Sequence, residues 1–222
     1  MGNPAIVSFF NAVYAWMACG LAITGIVAWL VATHVDAMKQ VFSGGMIIGI
    51  FIAQIVLVMV ISSAVHRINA TMATVLFLLY SALMGLTLSA IFLVYTLSSI
   101  FGAFAACAVM FGAMSVYGMV TKKDLSNLGR IMFMGLIGLI VASIVNIFLH
   151  SSMMQWLISY AGVVVFVGLT AYDTQRLKEM AVALQNDAAM SARMSINGAL
   201  TLYLDFINLF MMLLRILGDR RN

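Results

Sequence analysis

Two of the seven acidic residues in this 222-residue chain stand where a membrane-crossing helix should carry none. Asp205 lies inside the last long apolar run, Ser195 to Leu217. Asp173 lies near the end of the run before it, in Ala171-Tyr172-Asp173-Thr174-Gln175. A carboxylate at bilayer depth costs ~2.5–3.5 kcal/mol even on lenient insertion scales, so it marks a functional site by default. Two carboxylates sharing a poorly hydrated site cannot both ionise cheaply, and they titrate in coupled steps. Such a pair suits a proton sensor, or a ligand set for a hard cation. The nearest basic residue by topology is Arg67. Its guanidinium could bridge one carboxylate through a two-bond fork and hold that end shut, or it could simply anchor the second helix at the interface.

Helices must position these groups. At helical spacing Asn197, Thr201, Asp205, Asn208 and Arg215 fall on one stripe, a polar face that should point away from lipid. The last run is therefore expected to be the buried, central helix of an all-α bundle. Seven runs have crossing length: Ser8 to Thr33, Gly45 to Val65, Ala70 to Val94, Phe101 to Thr121, Ile131 to Leu149, Met153 to Arg176, and Ser195 to Leu217. Together they predict one integral domain filling residues 1–222. Lys and Arg gather in the second, fourth and sixth loops, seven against one in the odd loops, which predicts a cytoplasmic N-terminus. Arg215, Arg220 and Arg221 dissent, and leave open a last segment that re-enters without crossing. The sixth and seventh runs leave and enter the membrane on one side, so Asp173 and Asp205 can lie at comparable depth.

Composition agrees with the helices: 64% of residues are hydrophobic, 8% are charged and the mean hydropathy is +1.13. The net charge of +4 sits at span ends, where it reads as a topology signal rather than a nucleic-acid surface. No HExxH, GxSxG or P-loop pattern occurs, so neither an enzyme nor an organic cofactor is expected. Every lysine lies outside the spans and leaves no residue for a retinal Schiff base. Cys19 and Cys107 lie in apolar runs without zinc-ligand spacing and should be packing residues. His34, His66 and His150 lie at span ends on both faces, which argues against a shared metal site. Gly45/Gly49, Gly85/Ser89 and Gly102/Ala106 are small pairs that should let helices approach closely. Ser143, Asn146 and His150 form a stripe expected to hydrogen-bond between helices.

The sequence resembles the Bax inhibitor family, the transmembrane Bax inhibitor motif proteins, and most of all its bacterial inner-membrane branch. The resemblance rests on Tyr80 to Ser89 with Ile91-Phe92, on Thr121 to Ser126, on Ala171 to Gln175, and on Ala199 to Phe210. It implies six helices around a central C-terminal one. It also implies that Asp173 and Asp205 correspond to the di-aspartyl pH sensor of bacterial calcium-leak members, and Arg67 to the arginine latch of one member. The expected function is a pH-sensitive calcium leak, with calcium ions, protons and the lipid bilayer as its partners. Another branch is linked to modulating a membrane-bound quality-control protease, which makes a non-conducting regulator the alternative. The second span carries Gln54 but no acidic residue, where conducting relatives carry a further carboxylate.

Overall fold

The computed structural model describes residues 4–63 and 68–221. Among these residues the secondary structure is helical: α1 Pro4–Thr33, α2 Val35–Val41, α3 Gly44–Ser63, α4 Ala70–Leu88, α5 Ile91–Val94, α6 Leu97–Val120, α7 Ser126–Leu149, α8 Ser152–Ala183 and α9 Ala188–Leu217. Seven segments, with α4 and α5 counted as one, are long and apolar enough to cross a membrane. The fold is all-α, as the apolar runs require.

Helix ends follow local chemistry. Pro4 opens α1, where a missing N–H costs nothing. The Asn69 side chain accepts from the Met72 amide at 2.7 Å and starts α4. At the other end of that span Ser89 donates to the Leu86 carbonyl at 2.6 Å, where α4 gives way to α5. His150 closes α7 in the left-handed region (φ 50°), and the next amide, Ser151, donates to Asn146 Oδ1 at 3.0 Å. The stripe expected to bond between helices thus serves, at Asn146, as a local cap.

Several boundaries differ from the apolar runs. The first loop contains the short helix α2; α6 starts four residues before Phe101 and α7 five before Ile131. The largest difference lies between the last two spans, where α8 continues past Arg176 to Ala183 and α9 begins at Ala188. The long connection read from the sequence is therefore mostly helix. Hydropathy cannot see such extensions, because helices that project beyond the hydrocarbon carry polar residues without losing their backbone bonds.

The chain forms two units, Met1–Val94 with Met180–Tyr203, and Tyr95–Glu179 with Leu204–Asn222. In the first, α1 packs on α4 and α4 on α3. A Cβ on Gly20 would meet Phe77 at 2.6 Å, and one on Gly85 would meet Val27 at 2.7 Å, so these two glycines set the α1–α4 approach. Gly45, Gly49 and Gly102, expected to act likewise, have nothing within 4 Å of a built Cβ. In the second unit Phe104 and Phe111 pack edge-on against Phe206, with ring centroids 5.3 and 5.4 Å apart. Both units draw on α9, the most buried crossing helix: 56% of its apolar window is buried, against 6% for α7.

Both ends of α6 are tied to later parts of the second unit. Lys178 of α8 donates to the Met119 carbonyl at the close of α6 (2.7 Å). Past the far end of α9, the Asp219 carbonyl accepts from the Thr96 amide (3.2 Å) and its amide donates to Ser99 Oγ (2.9 Å), at the start of α6. Within the second unit the end of the chain thus lies beside the start of α6, and α9 is one of the segments long and apolar enough to cross a membrane.

Candidate functional site

The motif around Asp173 is gripped from both sides. Gly118 of α6 lies against the Ala171 carbonyl and Thr174, and Gly129 of α7 lies under the Tyr172 ring. A side chain at either glycine would push its helix away from α8. Ser115 and Thr174 hydroxyls meet at 3.1 Å, while Thr174 also donates to the Thr170 carbonyl at 2.7 Å. Gln175 uses both ends of its amide: Oε1 accepts from the Leu125 amide and Nε2 donates to the Lys123 carbonyl, each at 2.8 Å. Asp173 is thus carried by a segment with little freedom to rotate.

Asp205 faces that segment from α9. The carboxyl groups of Asp173 and Asp205 lie close enough to act on each other. A carboxylate only accepts, so the two can share a hydrogen bond only with a proton on one of them. Asp205 is 5% exposed, and its Oδ2 is buried without a hydrogen-bond partner. Arg176, one turn beyond Asp173, lies near enough for its positive charge to act on that carboxyl. Hydropathy alone assigns Arg176 to a loop; its i, i+3 spacing from Asp173 is the signal that could have found it. Arg67 lies outside the described residues.

The polar stripe of α9 is mostly satisfied along the helix itself. Thr201 donates to the Asn197 carbonyl at 3.1 Å and Asn208 to the Leu204 carbonyl at 2.8 Å, while Asn197 Oδ1 is buried and unpartnered. Arg215 is exposed at the last turn, where a cation complements the C-terminal end of the helix. It does not belong to the buried face.

The first unit holds a polar network that sequence reasoning misses. Thr24 Oγ1 lies 2.6 Å from the Tyr203 hydroxyl, 2.8 Å from the Ser81 carbonyl and 2.9 Å from the Gly20 carbonyl. Tyr203 is fully buried, its ring edge-on to Phe77 and Tyr80 at 5.7 and 5.9 Å. Threonine and tyrosine are too common in apolar helices to announce such a cluster. Gln54, 6% exposed, donates to Thr87 Oγ1 at 2.9 Å. Outside the spans, Asp124 accepts from the side chain and the amide of Ser126, the latter at 2.8 Å. Those bonds, with help from Arg130, hold its carboxyl below the usual carboxylate range.

Residues 6–222 match the sequence model of the family described as "Inhibitor of apoptosis-promoting Bax1". The "Inner membrane protein YbhL" of Escherichia coli (strain K12) is 52% identical over 216 residues, 96% of this chain and 92% of that protein. A Borreliella burgdorferi protein is 46% identical over 215 residues, covering 96% and 93%, and one from Deinococcus radiodurans is 46% identical over 213 residues, covering 96% and 91%. With seven membrane-length helices, the four motifs in order and similarity along nearly its whole length, this chain belongs to the Bax inhibitor family of membrane proteins.

Proposed function

We propose that the protein is a pH-sensitive calcium leak channel of a bacterial inner membrane, gated by Asp173 and Asp205. The observation that carries this reading is the close approach of two carboxyls on apolar helices, one of them with a buried, unpartnered oxygen. The pair holds one proton, and losing or gaining charge there changes what the neighbouring helices must accommodate. Calcium is the cargo rather than a resident ion, since it takes six to eight oxygen ligands and two carboxylates supply too few to retain it. Arg67 latches one carboxylate through its guanidinium fork, and Arg176 supplies positive charge beside Asp173. The inner-membrane placement is supported by the printed name of the E. coli relative, and a cytoplasmic N-terminus by the loop charges.

Calcium flux into liposomes carrying the purified protein tests this directly. The parent should conduct with a pH dependence that Asp173→Asn and Asp205→Asn abolish; unchanged flux in both variants would remove the mechanism. Arg67→Lys should leak more near neutral pH, because an ammonium cannot reproduce the fork, and acidification should shrink that difference.

One observation favours a second reading, a non-conducting regulator of another membrane protein such as a quality-control protease. In the first unit the buried polar residue of α3 is the amide of Gln54, bonded to Thr87, so no carboxylate reaches that position to help hold a cation. A protein that reconstitutes in folded form yet passes no calcium at any pH would favour it.

A further inference from the structure

We propose that the turn between α6 and α7, Thr121 to Leu125, binds the anionic headgroup of a membrane phospholipid. Five cations gather at this end of the second unit. Lys122 and Lys123 stand on the turn, Arg130 follows in α7, and Arg176 and Lys178 come from α8, whose Gln175 and Lys178 reach the turn and the last turn of α6. Two exposed acids, Asp124 and Glu179, accompany them. The charges are not equivalent. Lys178 is committed to the Met119 carbonyl, Arg130 neighbours Asp124, and Asp124 is committed to Ser126. Lys122 and Lys123 remain exposed, on a backbone that the Gln175 amide holds at 2.8 Å on both sides of Asp124.

Depth selects the partner. The turn joins two crossing helices with five residues, too few to project beyond the headgroup layer toward a soluble macromolecule. Tyr117, in the last turn of α6, is 42% exposed, as suits an aromatic side chain at the membrane interface. A phosphate at that level meets two ammonium groups carried on adjacent residues of a turn whose backbone Gln175 holds. The proposal is independent of conduction, because it rests on Lys122 and Lys123, which lie outside the carboxyl pair.

The test is lipid retention by the purified full-length protein, read by native mass spectrometry after exposure to equal phosphatidylglycerol and phosphatidylcholine. The parent should keep phosphatidylglycerol preferentially. Lys122→Gln with Lys123→Gln should lower that preference about twenty-five-fold, from roughly a fivefold contribution per cation at an anionic surface. Both side chains are exposed, so the double variant should fold. Gln175→Ala, which keeps every charge but frees the turn, should lower the preference several-fold. Lys39→Gln, an exposed cation on α2 in the other unit, should leave it unchanged. Equal losses from Lys39→Gln, or full retention by the double variant, would overturn the site in favour of diffuse attraction. Displacement of the lipid by millimolar inorganic phosphate would overturn the lipid as its ligand.

Discussion

Each unit buries a polar cluster on its own portion of α9, and the cluster around Tyr203 differs in kind from the one around Asp205. In the first, Tyr203 shares its hydroxyl with Thr24 at 2.6 Å, every member is neutral, and the Thr24 oxygen meets two carbonyls besides. In the second, Asp205 can carry charge, faces another carboxyl, and leaves one oxygen without a partner. A fully satisfied neutral network in a low-dielectric interior fixes packing and responds to nothing in solution. A half-satisfied ionisable pair costs stability wherever it is placed, and conflicts of that kind concentrate at functional sites. Two residues apart on α9, Tyr203 thus belongs to a satisfied neutral network and Asp205 to an ionisable pair.

Substitutions at the two places should separate these roles. Tyr203→Ala removes a fully buried aromatic ring and should cost ~3–5 kcal/mol. The loss should appear as a large drop in thermal stability in detergent that is the same at pH 5 and pH 8. Tyr203→Phe should cost only ~0.5–1.5 kcal/mol, because the Thr24 hydroxyl keeps its carbonyl partners. Asp205→Asn should change stability by ~1 kcal/mol or less, since an amide still bonds to Asp173. Its effect belongs in the pH profile of calcium flux, which it should flatten. The comparison breaks if Tyr203→Phe shifts that profile, or if Asp205→Asn unfolds the protein.

Much of this division is legible in the amino-acid sequence. Asp173 and Asp205 announce themselves because charge is rare in apolar runs, and seven spans follow from hydropathy alone. The ionisable pair is thus the easier one to read. Its supports are not, because Gly118 and Gly129 look like any other glycine in an apolar helix until the facing backbone is known. The small pairs chosen by spacing show why: of their glycines only Gly85 meets a neighbouring helix closely, while Gly45, Gly49 and Gly102 face open space. Spacing identifies a face, and only packing says whether another helix lies against it. The Thr24–Tyr203 bond is hidden for a related reason, since its partners are 179 residues apart and of ordinary residue types.

That distinction predicts opposite signs for one chemical change. Gly118→Ala would drive a methyl group into the Ala171 carbonyl and should cost ~1–3 kcal/mol through forced backbone movement. It should also disturb the pH response, because the displaced segment carries Asp173. Gly102→Ala adds the same methyl where nothing lies within 4 Å, and should stabilise its helix by ~0.5–1 kcal/mol. Paired thermal melts in one detergent would decide it, and equal effects at the two glycines would undo the packing argument.

The smallest effect is expected at Asp124, where a carboxylate outside the membrane shows what the intramembrane pair lacks. It is fully exposed and well partnered by Ser126, with Arg130 nearby, and its depressed titration follows from those contacts. A group whose folded-state value lies below its unfolded one contributes stability above the unfolded value, ~3.9 for an aspartate. That contribution fades as pH falls through the folded value. Asp124→Asn keeps an acceptor for the Ser126 amide but loses the charge, whereas Asp124→Ala loses both. At pH 7 melting temperatures should therefore fall slightly in the order parent, Asn, Ala. As pH falls below the unfolded value and through the lower folded one, the parent should converge on the Asn variant while both stay above Ala. A gap between parent and Asn that does not narrow as the solution is acidified would mean that the contribution of Asp124 does not come from its charge.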